Sequence, residues 1–464
     1  SGYPPYRPNK CLWLSNSGDQ VWESQIPDNW NVKRLRFVAS ITMSNVDKNV
    51  KILELPVKLC NYVDVYKNNF ITNTIVFMEA TATEEEIDRF QIKAGDVLIT
   101  KDSEDWRDIA VPALVKFQEP NLLCGYHLAI LRANRRDVTG HFLFWAFLAQ
   151  YNRIQFSTKA NGITRYGISQ GTIKNSWLLL PPIDQQTAIA TFLDRKTAQI
   201  DRAVAIKEKQ IALLRERKQI LIQNAVTRGI DPDVPMRDSG VEWIGEIPGH
   251  WEVKRLKYVL EERKERSKSG EEPLFMVSQT HGLVVRSEFH EKAEVAENNI
   301  GNKMVFKNDL VFNKLKAHLG VFFKSNIGFV GLVSPDYAVY KFKGSINDLK
   351  YLEYLFRNPA YICQFVIRAT GIVEGLIRLY TSDLFEIHVP VPPAEEQKRI
   401  LEQIETQSQK IDRAIALQQQ QIEKLKEYKA TLINSAVTGK IRVPMDSEAE
   451  ALSEASDKEA TKVP

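Results

Sequence analysis

PPIDQQTAIATFLDRKTAQIDRAVAIKEKQIALLRERKQILIQNAVTRGI, residues 181–230, decides the fold because the chain carries it twice. The second copy, PPAEEQKRILEQIETQSQKIDRAIALQQQQIEKLKEYKATLINSAVTGKI, spans residues 392–441 and aligns without a gap at an offset of 211. Twenty of the 50 positions are identical, where average residue usage would give roughly three. Pro-Pro opens both copies, IDRA recurs at Ile200–Ala203 and Ile411–Ala414, and AVT recurs at Ala225–Thr227 and Ala436–Thr438. A repeat this long fixes the architecture before any local reading does.

Both copies follow a four-three apolar rhythm. It runs through Ile200, Val204, Lys207, Ile211, Leu214, Lys218, Leu221 and Ala225, then through Ile411, Ile415, Gln418, Ile422, Leu425, Lys429, Leu432 and Ala436. That is the seam of a paired helix. Each strong run covers about 30 residues, or roughly 45 Å at 1.5 Å per residue. Neither run contains proline. An exposed seam needs a partner, and two copies in one chain supply one. An antiparallel pairing would hold the intervening regions at opposite ends, with Lys207, Lys218, Gln418 and Lys429 fixing the register. On the pattern alone, a structural spacer or a dimerisation zipper remains open. The Pro-Pro pairs end a strand and open a short acidic or amide-rich turn, Asp184–Gln186 and Glu395–Gln397, suited to a helix start.

Upstream of each copy lies a second matched pair, IPDNWNVKRL (Ile26–Leu35) and IPGHWEVKRL (Ile247–Leu256), at an offset of 221. The change of offset puts a ten-residue length difference inside the regions between. KAGDVLITK (Lys93–Lys101) faintly echoes FKNDLVFNK (Phe306–Lys314). Apolar and β-branched runs at Asp96–Thr100, Leu310–Phe312, Val321–Phe323 and Tyr337–Phe342 read as strands. His141–Asn152 and Ile346–Arg357 read as helical patches. The expected fold class is therefore α+β: two globular α+β domains separated by two long antiparallel coiled-coil helices, a pseudo-twofold internal repeat. The expected limits are 1–182 for the first domain, 183–230 for the first helix region, 231–391 for the second domain, 392–442 for the second helix region, and 443–464 for a disordered tail rich in Glu, Ser, Ala and Lys.

Composition narrows the function classes. With 464 residues and 44% apolar content the chain can build more than one core. A net charge of +4 from 62 basic and 58 acidic residues does not by itself mark a nucleic-acid binder, so any basic surface must be local. Cys11, Cys60, Cys124 and Cys363 are scattered, without a CxxC pair, as suits a reducing cytoplasm. No apolar run is long enough for a membrane span, and SGYPPYRPNK at the start lacks a signal peptide's apolar stretch. YPPY (Tyr3–Tyr6) starts with Tyr and has no Gly-rich cofactor loop before it, so it is not read as a methyltransferase motif. Asp96 and Asp309 precede Lys101 and Lys314, but the second acid of a nuclease E-x-K is missing. Thr438–Lys440 lacks the upstream glycine of a phosphate loop, and seven scattered histidines show no metal spacing. The chain is thus expected to be no enzyme and to hold neither cofactor nor metal.

ITKDSEDWRDIAVPALV (Ile99–Val115), CGYHLAI (Cys124–Ile130) and GITRYGIS (Gly162–Ser169) resemble one class of target-recognition domain of type I restriction-modification specificity subunits. VFNKLKAHLGVFF (Val311–Phe323), VSPDYAVY (Val333–Tyr340) and LIRLYTSDLFEIHVPVPPAEEQ (Leu376–Gln397) resemble another. DSGVEWIGEIPGHWEVKRLK (Asp238–Lys257) is similar to the sequence that opens such domains, and Asn16–Arg36 is a looser version. The resemblance covers nearly the whole chain except the tail. It implies a cytoplasmic DNA-binding subunit in which each domain reads one half of a split, asymmetric site and the helices set the spacer. It also implies two methyltransferase subunits as partners, which carry S-adenosylmethionine, and optionally motor-nuclease subunits. A rod of about 45 Å exceeds one DNA turn of about 34 Å, which fits that division.

Reading DNA requires phosphate cations and groups that reach base edges. The candidates are Lys101, Arg132, Arg165, Tyr166 and Lys174 in the first half, and Lys314, Lys316, His318, Arg378 and Tyr380 in the second. For each one a solvated surface charge or a core-edge aromatic is the competing reading. His127 reads as a satisfied buried histidine, and Trp30 and Trp251 as packing residues. The alternative function is a coiled-coil scaffold or adaptor without DNA recognition.

Overall fold

The computed structural model describes residues 26–278, 281–289, 299–370 and 378–444. Cys11, the YPPY motif and the tail from residue 445 lie outside the described residues. The chain divides into two compact units. The first comprises residues 1–207 with 420–464, and the second residues 208–419.

The first unit is built on a five-stranded sheet ordered Ala39–Met43, Leu128–Ala133, Val97–Thr100, Pro112–Val115 and Phe70–Ile71. A three-stranded sheet of Met78–Ala82, Leu55–Cys60 and Leu122–Cys124 accompanies it. The helix Gly140–Leu148 has an almost wholly buried run from Phe142 to Phe147. The helical patch expected over His141–Asn152 is two helices, Gly140–Leu148 and Gln150–Ser157, broken where Ala149 turns extended at ψ 143°. In the second unit the central sheet runs Leu260–Glu262, Tyr337–Phe342, Leu310–Asn313 and Phe322–Lys324, with helices Lys350–Leu355 and Pro359–Arg368 beside it. Stacked and edge-on contacts among Phe312, Phe322, Tyr340, Phe356 and Phe365 fill that core.

In both units the repeated opening motif is a strand that pairs antiparallel with the strand leading into a long helix. Asn31–Arg34 pairs with Trp177–Leu180, and Glu252–Arg255 pairs with His388–Val391. The two matched segments of sequence are therefore one structural joint. The long helices begin directly after the Pro-Pro pairs, at Ile183–Arg228 and Ala394–Val437, so the acidic segment is a first helical turn rather than a separate turn. They run for 46 and 44 residues, longer than the seam alone implied.

Gln186 and Gln397, identical between the repeats, are buried clips at these starts. Gln186 Nε2 donates to Pro181 O at 2.9 Å and Asp137 O at 3.0 Å, while its Oε1 accepts from Thr139 N at 2.9 Å. Gln397 repeats the arrangement with Pro392 O at 2.8 Å, Ser345 O at 2.7 Å and Asn347 N at 2.9 Å. The far helix ends are anchored as well. Leu432, Ile433, Ala436 and Val437 enter the first unit's core, and Ala225 and Val226 enter the second's. Gly439 and Gly229 close the helices at positive φ of 74° and 78°, where a side chain would meet Pro27 and Trp30 in the first unit and Glu396 and Trp251 in the second. Trp30 and Trp251 are packing residues, as their repeated positions suggested.

Each unit contains helix pairing. In the first, Lys429 Nζ reaches Asp201 at 2.7 Å and Lys207 Nζ reaches Gln421 at 2.5 Å. Numbers rise on one helix as they fall on the other, so the pairing is antiparallel. In the second, Lys218 Nζ reaches both oxygens of Asp412 at 2.7 and 2.8 Å, and Leu221, Ile222 and Ala225 share a core with Ile400, Leu401 and Ile404. Lys218–Asp412 and Lys429–Asp201 are the same pair displaced by 211 in both members. Every seam position from Ile200 to Ala225 and from Ile411 to Ala436 is buried or half-buried. The pairing residues Val204, Leu214, Leu221, Ile415 and Leu425 are half-buried, and Ile200, Ile211, Ile411, Ile422 and Leu432 are buried. The seam lysines lay their stems along the interface and turn their ammonium groups out to carboxylate or amide.

Candidate nucleic-acid interface

The three segments of the first half that carry the resemblance meet at one place. Lys101 N donates to His127 O at 3.0 Å, and Ile168 N donates to Lys101 O at 3.0 Å. Tyr166 and Gly167 pair with Ser103 and Asp102 as a two-residue strand. Around this knot sit Lys101, Asp102, Tyr126, His127 and Arg165. Asp102 accepts from His127 Nδ1 at 2.8 Å and from Arg165 Nη2 at 2.6 Å. Lys101 donates to Ser44 O at 2.7 Å, and its ammonium lies 4.5 Å from the Tyr126 ring centre. Burial pulls its pKa below the usual lysine value, against the charge of Asp102. Tyr126 and Tyr66 expose about half their surfaces, and Tyr66 stacks on the Tyr62 ring that meets His127 edge-on. Tyr66 donates to Asp108, which pushes its hydroxyl up to about 12. Cations interleaved with accessible aromatics are the equipment of a nucleic-acid face.

The second half repeats the plan with other residues. Leu379 N donates to Lys314 O at 3.2 Å, at the position where Ile168 meets Lys101. Arg378 pairs with Asp336 at 3.3 Å, Tyr340 Oη lies 3.0 Å from Thr381 Oγ1, and Tyr380 is 47% exposed. Lys316 sits exposed at a kink, φ −121°, in the short helix Lys314–Leu319. His318 belongs to that helix, and its side chain lies outside the described residues. Lys303, beneath, is 6% exposed; burial and then the Lys314 charge lower its pKa.

Arg132 is tied into the fold. Its guanidinium grips Asp96 through Nε at 2.9 Å and Nη2 at 2.7 Å, and Nη2 also donates to Gln91 O at 2.9 Å. It holds a carboxylate that is 2% exposed, while 38% of its own side chain stays exposed. Asp309 is held likewise by Arg263 Nε at 2.7 Å and Nη2 at 2.8 Å. Burial pushes the Asp309 carboxyl up while Arg263 opposes it. Both aspartates also cap their own turns, accepting from Lys93 N at 2.8 Å and Phe306 N at 2.7 Å. The faint echo between KAGDVLITK and FKNDLVFNK is thus a shared buried acid at a strand start, neutralised by arginine. Lys174 is half-buried on the short helix Gln170–Lys174, and Tyr166 packs against the lobe's core.

Sequence reading did not single out Asp102 or Tyr126, and His127, read as a satisfied buried histidine, is bonded to Asp102 but keeps 28% of its side chain exposed. All three lie inside quoted segments, but nothing local announces that distant loops bring them together. Among the described residues no group of three His, Cys, Asp or Glu side chains is placed to hold a metal. No described helix is long and apolar enough to cross a membrane.

Two α+β units, each with its copy of the repeated strand joint and long helix, define the class. The family model described as type I restriction modification DNA specificity domain matches residues 27–215 and again 248–427. The chain belongs to that family, as a DNA-recognition subunit, and the adaptor alternative is not favoured. The putative type I restriction enzyme MjaX specificity subunit of Methanocaldococcus jannaschii is 24% identical over 90% of this chain and 95% of its own length. The MjaVIII specificity subunit of the same organism is 26% identical over 65% of this chain and 70% of its own. Among solved structures, the HsdS subunit from Thermoanaerobacter tengcongensis shares the fold at 16% identity and a TM-score of 0.54, covering 90% of this chain and 98% of that one. A chain from work described as the structural basis underlying complex assembly and conformational transition of the type I R-M system shares it at 16% identity and a TM-score of 0.65, covering 90% and 99%.

Proposed function

We propose that each lobe reads one half of a split, asymmetric DNA site, that the paired helices set the spacer between the halves, and that two methyltransferase subunits dock on the repeat. The observation that carries this reading is the double family match, set on two lobes that each bring a strand-end lysine to an arginine and a tyrosine, Lys101 with Arg165 and Tyr166 and Lys314 with Arg378 and Tyr380, within otherwise different sequences. Two unlike readers require two unlike half-sites. Lys101, Arg165, Tyr166 and Lys174 serve the first half-site, and Lys314, Lys316, His318, Arg378 and Tyr380 the second. A pseudo-twofold scaffold suits two identical partners. In the second unit Leu213, Ile220 and Leu417 remain about half exposed on the helices, apolar points that favour docking.

The chain is non-catalytic on this reading. The methyltransferase subunits supply S-adenosylmethionine and methyl transfer, motor-nuclease subunits optionally supply cleavage, and the complex works in the cytoplasm. Specific DNA affinity, measured with the methyltransferase bound, is expected to fall steeply with salt as phosphate counterions are released. A flat salt response would contradict the reading, as would methyl transfer by the isolated chain.

A further inference from the structure

One carboxylate organises the first lobe's exposed knot. Asp102 Oδ2 accepts from His127 Nδ1 at 2.8 Å, while Oδ1 accepts from Arg165 Nε at 3.0 Å and Nη2 at 2.6 Å. An ionised carboxylate can only accept, so His127 carries its proton on Nδ1. With the ring neutral, the other nitrogen, Nε2, is a lone-pair acceptor. It has no partner among the described residues, and neither does Arg165 Nη1. The ring is also fixed in direction. Tyr126 packs on it edge-on at 4.6 Å, and Tyr62 does so at 6.4 Å. The Lys101 ammonium braces Tyr126 from its own side. His127 keeps 28% of its side chain exposed and Arg165 51%.

An acceptor and a guanidinium donor held side by side, each with one exposed atom unpartnered among the described residues, form a built recognition pair. In the major groove the groups that donate are the exocyclic amines, N6 of adenine and N4 of cytosine. We propose that His127 Nε2 reads an exocyclic amine in the first half-site, with Arg165 donating beside it. Asp102 is the positioning residue that sets the tautomer of one and the orientation of the other. This rests on the reading that the first lobe contacts DNA. It goes further by assigning the chemistry of one base contact.

The test uses the full chain bound to its methyltransferase and a set of duplexes that carry the methylated site. In each duplex one adenine or cytosine of the first half-site is replaced by the analogue lacking its exocyclic amine, purine or 2-pyrimidinone. For the wild-type chain, deletion at one position is expected to weaken specific binding about ten- to hundred-fold, the range of a good base contact. In His127→Ala that deletion is expected to cost nothing further, while discrimination at the second half-site stays intact and shows that the variant is folded. Asp102→Asn is expected to lose the same amine dependence, which a merely structural role would not remove selectively. If His127→Ala responds to every amine deletion as the wild type does, the assignment is overturned and His127 is packing. If the wild type shows no preference anywhere in the first half-site, the reading of the lobe itself fails with it.

Discussion

Asp96 and Asp309 show how a buried charge becomes structural. Each is 2% exposed and gripped by an arginine through two nitrogens. Removing the cation strands a carboxylate in the core. Arg132→Ala is therefore expected to cost about 2–4 kcal/mol in urea unfolding, while the methylated sequence of the complex stays the same. A changed first half-site with unchanged stability would mark Arg132 as a reader instead. Gln186 fills three hydrogen bonds in a fully buried spot, so Gln186→Ala is expected to lose about 2–3 kcal/mol, and Gln397→Ala a similar amount in the second unit. Asp194 gives a pH signature. Burial opposes its ionisation, but the His141 hydrogen bond and charge, Lys116, and Trp145 Nε1 hold its pKa below the ordinary 3.8. A carboxyl whose folded value is depressed stabilises the fold above its unfolded value and loses that contribution as pH falls through the folded one. The first unit should weaken on acidification below about pH 4, and Asp194→Asn should lack that part of the acid dependence in a thermal-melting series. None of these roles was legible beforehand. The shared Gln could be seen as a repeat identity, and the paired acids as an echo, but their partners lie dozens of residues away.

At the scale of the element, the seam was the most readable feature, because a four-three rhythm needs no tertiary information. The partners of the seam lysines were not readable. Lys218 and Lys429 find Asp412 and Asp201 only once two helices run in opposite directions. Both aspartates remain 57% exposed, so each pair stabilises modestly and matters more for register. Reversing Lys218 to Asp should cost about 0.5–1 kcal/mol, and Asp412→Lys in the same chain should recover most of it in a double-mutant cycle. Helix ends were harder to see. The seam marks about 30 residues by its spacing, while the first turns depend on Pro-Pro and the glutamine clip. The break at Ala149 falls in a run of apolar residues with no proline or glycine to announce it. Inserting one heptad into each long helix would lengthen the pair by about 10 Å, or roughly three base pairs. The spacer between half-sites should grow to match, and an unchanged spacer would refute the ruler idea.

At the scale of the whole molecule, the repeat announced two lobes and two helices, and the family resemblance announced DNA recognition. What the sequence could not announce is that each lobe's core borrows residues from distant parts of both helices. Leu432 to Val437 pack with the first lobe across more than half the chain, and Ala225 and Val226 pack with the second. Each lobe still holds its own sheet and core, which argues for separable reading. The most direct test is to sequence methylated adenines in cells expressing the chain with its methyltransferase, before and after residues 1–180 are exchanged for another recognition domain. A bipartite, asymmetric site of which only one half changes on exchange is the expected result. A continuous or palindromic site, or a change in both halves at once, would contradict the account.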